Sequence, residues 1–325
     1  WVSFMSADSL RLFYRDPPRG KAIFRAESKD AESDAFAIKV MDAQEPANRN
    51  EVRMLRRLRT SGNVVPYLAS EEFPKEMFVL TLAADETLSD VLTRRFTTGA
   101  GPMPLNESLP ILIDVLRGVV DLNAQGIVHY ALGEEHVLLK DGRPWLTGLG
   151  SSAILTASGV FDGPADIYDQ DFADVSFDIR PSMLARLPPE TAAGWPNAAS
   201  NNVWQVGTIF ARMALGYVPM SKVVAAHDPG LLEVEHYTPE LAKHVQDVVR
   251  RGFSVWADDG FRMLKDGDVQ DLLAGMLETS AEKRWSAEGA LERALSVARR
   301  RGIEVPPERA PSPPQTRVGS AIGSE

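Results

Sequence analysis

The 325-residue sequence has no cysteine, and that absence removes disulfides, thiolate metal sites and cysteine nucleophiles together. It does not identify the compartment. Basic residues are in deficit: 35 Lys and Arg stand against 45 Asp and Glu, a formal net charge of -10. A chain of that sign is a poor general partner for nucleic acid and is repelled by an anionic membrane surface. Long apolar runs are missing too. The most apolar stretch, Ile111 to Val120, is interrupted by Asp114 and Arg117, so no transmembrane segment is expected. Residue 1 is Trp, not Met, so the chain reads as a processed product, and secretion after removal of a signal peptide stays open.

What is present is ordinary for a globular protein: 44% hydrophobic and 25% charged residues, enough to bury a core in one large or two modest domains. No internal repeat is apparent. Residues 1–82 read as short strands at Ser9–Tyr14, Ala22–Ala26, Ala35–Val40 and Met77–Leu82, interrupted by one helix from Asn50 with Val52, Leu55 and Leu58 on its apolar face. Arg53, Arg56, Arg57 and Arg59 fall mostly on its other faces. A long helix is predicted through Ala124, capped by Asn106, burying Leu109, Leu112, Ile113, Leu116, Val119 and Val120, and ended by Gly126. Val137–Leu139 and Trp145–Thr147 flank an Asp141-Gly142 turn, a hairpin signal. Helices dominate from Val203. The stretch 305–325 is rich in Pro, Ser and Gly and reads as a disordered tail. The expected architecture is α+β: a small β-rich lobe, 1–82, followed by a larger helical lobe, 83–304.

This order resembles the protein-kinase fold, and local sequences agree with it from Phe36 to Arg284. Phe36-Ala37-Ile38-Lys39 resembles the strand whose Lys holds the phosphates of ATP, and Glu51 stands where a helix Glu pairs with that Lys. Gly126-Ile127-Val128-His129-Tyr130-Ala131, running into Glu135-His136-Val137-Leu138-Leu139, is similar to the catalytic loop. Leu146-Thr147-Gly148-Leu149-Gly150 is similar to the magnesium-binding turn. Pro188-Pro189-Glu190 resembles the close of the activation segment, and Ala281-Glu282-Lys283-Arg284 the site of the Arg that pairs with that Glu.

The departures from the pattern are chemical. Phosphoryl transfer needs an Asp to orient the substrate hydroxyl and Asp and Asn oxygens to hold Mg²⁺. The resemblance puts Ala131 in the first place, Gly148 in the second and His136 in the third, so no catalytic residue is expected at these degenerate positions. The connection Arg15-Asp16-Pro17-Pro18-Arg19-Gly20 replaces the Gly-rich phosphate loop, and its two prolines supply no N–H. That missing loop is similar to the "with no Gly-loop" branch of secreted apicomplexan kinases related to the rhoptry kinases. One member of that branch is a pseudokinase, which this chain resembles, and membership implies dense-granule secretion into the parasitophorous vacuole or cyst wall.

Each residue also has a plainer reading. Lys39 and Glu51 are read as a structural ion pair tying helix to sheet, with no cofactor expected, against a surviving nucleotide site. His129 is read as core packing. Metal binding by His129 with His136 lacks a third ligand, so no metal is expected. Glu134 and Glu135 read as a solvated face, Glu190 with Arg284 as a buried structural pair, and Leu55, His129 and Leu149 as an apolar stack joining the lobes. The segment 161–178 carries Asp162, Asp166, Asp169, Asp171, Asp174 and Asp178 among Phe161, Tyr168, Phe172 and Phe177, with no Lys or Arg. It is either a solvated acidic loop or a docking surface whose aromatics anchor a basic protein partner. The expected function is a protein-interaction scaffold. A metal-free nucleotide switch and an unorthodox active kinase are the alternatives.

Overall fold

A computed structural model describes residues 10–16, 21–26, 35–155, 161–162, 186, 188–189, 198–219, 222 and 254–310. The N-terminal region is one antiparallel sheet of five strands in the order β1-β2-β3-β5-β4. These are β1 (Leu10–Asp16), β2 (Lys21–Ala26), β3 (Phe36–Asp42), β4 (Tyr67–Glu72) and β5 (Glu76–Leu82). Along β5, Met77, Val79 and Thr81 are buried while Phe78, Leu80 and Leu82 are only partly covered, the period of two expected of a sheet with one packed face. The β1–β2 ladder closes at Asp16↔Lys21, leaving four residues for the connection that carries the two prolines.

Helix α1 (Pro46–Arg57) crosses the sheet's packed face. Pro46 fits its first turn, where no N–H is needed, and Arg56 and Arg57 lie in its last turn, where the dipole favours cations. It begins four residues before Asn50. Its inward face carries Val52, Met54 and Leu55, and also three polar side chains, Asn48, Asn50 and Glu51. A short strand β6 (Glu86–Thr87) then leads into α2 (Leu88–Thr97), capped reciprocally by Thr87 and Asp90.

Helix α3 (Leu105–Ala124) is the spine of the C-terminal region. Leu109, Leu112, Ile113, Leu116, Val119 and Leu122 are all buried at helical spacing. The expected cap at Asn106 is incorrect: Pro104 holds the cap position, its carbonyl accepts from Glu107 and Ser108, and Asn106 lies within the first turn. After Gly126 come β7 (Ile127–Val128), β8 (Val137–Lys140), β9 (Arg143–Leu146), β10 (Ala153–Leu155) and β11 (Phe161–Asp162). The β8–β9 hairpin turns through Asp141 (φ 52°) and Gly142 (φ 73°), both left-handed as a type I′ turn requires. Helix α4 (Ala198–Leu215) packs Val203, Trp204, Val206, Ile209, Phe210 and Met213 into the core. Then follow α5 (Asp259–Arg262), α6 (Gly267–Met276) and α7 (Ala287–Arg301). A β-sheet N-terminal region and a helical C-terminal region make the fold mixed α+β. Among the described residues no helix is long and apolar enough to cross a membrane.

The start of the expected disordered tail is a correction. Residues 305–310 leave α7 and run along the C-terminal region. Arg117 donates to the Pro306 carbonyl at 2.8 Å, Arg143 to the Pro307 carbonyl at 2.8 Å, and Arg309 to the Pro144 carbonyl at 2.7 Å. The Arg309 guanidinium also lies over the Trp145 ring, 4.9 Å from its centroid. Arginine donors on backbone carbonyls order a segment that has few apolar side chains of its own. Residues 311–325 lie outside the described residues.

Candidate functional site

The site lies where one face of the central strand β3, the inner face of α1 and the loops around β7–β9 converge. Lys39, in the middle of β3, reaches Glu51 on α1 with Nζ 2.5 Å from Oε1. The Glu51 side chain is only 4% exposed and that of Lys39 17%, so removing either partner strands the other in a largely dry setting. Asn50, one residue earlier, donates to the carbonyls of Gly150 (2.9 Å) and Ser152 (2.6 Å). Helix α1 is therefore tied to the sheet through Glu51 and to the turn after Gly148 through Asn50. Leu55 and Leu149 are buried in the same apolar core.

The loop after β7 is held from below by α4. The Asn202 side chain accepts from the His129 backbone N–H at 2.9 Å and donates to the Ile127 carbonyl at 2.9 Å; Gln205 donates to the Tyr130 carbonyl at 2.8 Å. Sequence reasoning assigned no contact to the side chains of Asn50, Asn202 and Gln205. The available signal was polar side chains on otherwise apolar helix faces. His129 is fully buried, with Nε2 2.8 Å from the Thr147 carbonyl. Burial, and then the neighbouring His136, lower its pKa from 6.5 to about 4. Its imidazole is neutral near pH 7 and serves as a structural strut between two loops.

Ala131, His136 and Gly148 meet. Ala131 presents a methyl group, and its carbonyl lies 2.6 Å from His136 Nδ1. Gly148 has φ +75°, and a Cβ built there would collide with the His136 ring, 2.6 Å from both Cγ and Nε2. The imidazole thus fills the space in which a side chain at position 148 would begin. Burial lowers the His136 pKa, so this ring is also favoured as neutral. The two rings are 5.8 Å apart, and each has one nitrogen on a backbone carbonyl, so they do not converge on a metal. Among the described residues no group of three or more His, Asp or Glu side chains could hold one.

A second side chain closes the loop from the other side. Arg186 Nη2 lies 2.9 Å from Glu134 Oε1, and Nη1 lies 2.6 Å from Glu135 Oε1. The expected solvated face is incorrect for Glu134, while Glu135 is exposed. Glu134 is buried, and both are clamped by one guanidinium in the fork geometry that Arg favours. For Glu135 burial pushes the pKa up, but Arg186 and His136 outweigh it and the net shift is downward. The clamp depends on Gly133: a Cβ there would run into the Arg186 guanidinium, whose Cζ would lie at 2.9 Å.

Of the remaining expected positions, Arg284 donates to the carbonyls of Glu278 (2.8 Å) and Ser200 (3.0 Å) and stacks on Trp204. Glu190, Asp166, Tyr168, Asp169, Asp171 and Phe172 lie outside the described residues. Phe161 belongs to β11, paired with Leu155 of β10, and its side chain lies outside them too.

A magnesium-bound nucleotide demands hard oxygen donors beside the phosphates. This loop offers a methyl group, a glycine and an imidazole already bonded through Nδ1. The residues present do not fit that group.

The buried histidines make stability depend on pH. A base whose folded pKa is depressed binds its proton in the unfolded chain first, so stability falls as pH drops from about 6.5 towards 4. His129 alone accounts for roughly 3 kcal/mol over that window, at about 1.4 kcal/mol per unit. The urea midpoint should fall steadily from pH 7 to pH 5; an unchanged midpoint would contradict a neutral buried imidazole.

Comparison with known proteins agrees with the architecture. The sequence profile of the protein kinase domain matches residues 22–295. Calcium/calmodulin-dependent protein kinase type 1 of Macrobrachium nipponense is 24% identical over 242 residues, 70% of this chain and 64% of that protein. Ribosomal protein S6 kinase alpha-3 of Mus musculus is 24% identical over 194 residues, 57% of this chain and 23% of that protein. KEOPS complex subunit Bud32 of Pyrococcus abyssi is 27% identical over 100 residues, 31% of this chain and 42% of that protein. The chain thus spans less than two thirds of the length of each of these relatives. With the sheet, the Lys39–Glu51 pair and the loop around His129 in kinase order, the chain belongs to the protein kinase domain family.

Proposed function

We propose that this protein is a pseudokinase: a kinase fold that transfers no phosphate and acts as a protein-interaction scaffold or regulator. The observation that carries this reading is the interlock of His136 with Gly148. An absent carboxylate alone leaves room for a neighbour to substitute. Here the room is filled by a neutral ring, Ala131 offers no acceptor to a substrate hydroxyl, and the carboxylates nearest in the loop, Glu134 and Glu135, are committed to Arg186. The Lys39–Glu51 pair then serves to fix α1 against the sheet.

The test is phosphoryl transfer from labelled ATP with Mg²⁺ or Mn²⁺, to the chain itself and to generic protein substrates. Both the wild type and the Ala131→Asp/Gly148→Asp variant are expected at the level of a no-enzyme control. Transfer above that level by either would overturn the reading.

The prolines between β1 and β2 support placement in the branch of kinases without a Gly-rich loop. Secretion to a parasitophorous vacuole or cyst wall is part of the same proposal. Immunolocalisation in the source cell tests it, and a signal confined to the cytosol would contradict it.

A further inference from the structure

The strap at 305–310 touches more than the C-terminal region. The Arg309 backbone lies on Gly62, in the loop that joins α1 to β4: a Cβ at Gly62 would stand 2.6 Å from the Arg309 carbonyl oxygen and 2.7 Å from the Arg309 Cβ. The lack of a side chain at Gly62 is what lets the two segments pass so closely. We propose that the strap is a latch on α1. Docked, it holds residues 58–65 and with them the end of the helix that carries Glu51; released, it loosens both.

The loop is short and runs straight out of α1. The Leu58 N–H donates to the Met54 carbonyl in the last turn at 2.9 Å, and the Ser61 N–H to the Leu58 carbonyl at 2.8 Å. Further on, the Val65 N–H donates to the Leu146 carbonyl and the Leu146 N–H to the Asn63 carbonyl, both at 2.9 Å, which fastens the loop to β9. Asp121 of α3 accepts from the Ser61 hydroxyl and the Asn63 amide. Gly62 lies between these anchors, under the strap. The strap is seated on the same strand, with Arg309 on the Pro144 carbonyl and the Trp145 ring.

Its hold is balanced enough to open. Ile303 and Val305 pack against the core, but Pro307, Glu308 and Ala310 are exposed. Pro306 and Pro307 have no N–H and offer only carbonyls, which Arg117 and Arg143 take. Docking also puts Arg309 near a like charge. Burial and then Arg143 lower the Arg309 pKa to about 10, an effect that Asp114 and Asp141 offset in part. Its guanidinium is thus held by one carbonyl and one indole face against desolvation and repulsion. A segment bound by opposing contributions of this kind opens locally while the rest of the chain stays folded.

Nothing in the latch depends on the nucleotide cleft, so its test stands apart from that of the scaffold reading. Linkage supplies the test, because a latch and the segment it holds must loosen each other. In the full chain, opening of the strap is read as the rate of cutting after Glu308 by glutamyl endopeptidase. Opening of the loop is read as hydrogen–deuterium exchange over residues 58–65, with residues 269–276 of α6 as the control. Arg309→Ala alters only the strap, and should speed both cutting and loop exchange by roughly fivefold or more, with α6 unchanged. Gly62→Val alters only the loop, and should speed cutting at Glu308 to a similar degree; Gly62→Ala, which adds only the Cβ, should act in the same direction. Cutting at the wild-type rate in Arg309→Ala or in both Gly62 variants would overturn the latch. Faster cutting in Arg309→Ala with loop exchange unchanged would overturn it as well, since the strap would then open without consequence for α1. Equal acceleration in α6 would make the effect global and would also contradict it.

Discussion

Replacing Gly148 by Asp, the residue a working kinase loop would carry, should lower the stability of this protein by about 2–4 kcal/mol. Two costs add. Position 148 has φ +75°, where a residue with a Cβ is strained by roughly 1 kcal/mol. The new Cβ also overlaps the His136 ring, and overpacking a filled site typically costs about 1–3 kcal/mol. The signature is its dependence on the partner residue. In a His136→Asn background the ring is gone, and the same Gly148→Asp change should cost less than half as much, mostly the backbone part. A double-mutant cycle by urea denaturation reads this as a coupling of 1 kcal/mol or more. Additive effects would show that the imidazole does not occupy that space.

Asp114→Ala should be the more damaging change, about 3–5 kcal/mol. Asp114 sits on α3 with a side chain that is 0% exposed, and its two oxygens are divided between Arg117 (2.7 Å) and Arg143 (3.0 Å). Those same guanidinium groups donate to the carbonyls of Pro306 and Pro307. Removing the carboxylate leaves two cations in a site whose desolvation it had offset, and breaking a buried pair costs about 3–5 kcal/mol. That is a large share of a typical domain's 5–15 kcal/mol. Truncation after Glu304 removes only the strap and should cost less, so the order Asp114→Ala, truncation, wild type is expected in melting temperature. A truncated chain as unstable as Asp114→Ala would mean that the strap, and not the buried carboxylate, dominates.

The path of the chain through the kinase fold is legible from sequence because its motifs are local: Lys39 in a strand, His129 after a short strand, an Asp-Gly hairpin. The places of Ala131, His136 and Gly148 in those motifs are legible for the same reason. Their interlock is not, because it needs the β8–β9 pairing of Val137 with Leu146, the bond from the Thr147 N–H to the His136 carbonyl and the left-handed turn at Gly148 together. The Arg186 clamp spans 51 residues and hides in two carboxylates that look solvated. Strand β4, Tyr67-Leu68-Ala69-Ser70-Glu71-Glu72, has no clear alternation and is formed by its pairing with β5. The strap at 305–310 has the composition of a disordered tail, and its order comes from Arg117 and Arg143 bonding to its carbonyls and from its own Arg309 reaching the Pro144 carbonyl, which composition cannot register.

The central claim is that the His136 ring and the missing oxygens deny the cleft a magnesium-bound nucleotide. The most direct measurement is thermal stability with ATP and with ADP, each with and without Mg²⁺. A ligand at about 100 times its Kd adds about 2.7 kcal/mol, well within the reach of a melting curve. The expected result is the same melting temperature in every condition. A rise that requires Mg²⁺ would contradict the claim outright, and a metal-independent rise abolished by Lys39→Ala would replace the scaffold with a nucleotide-binding switch.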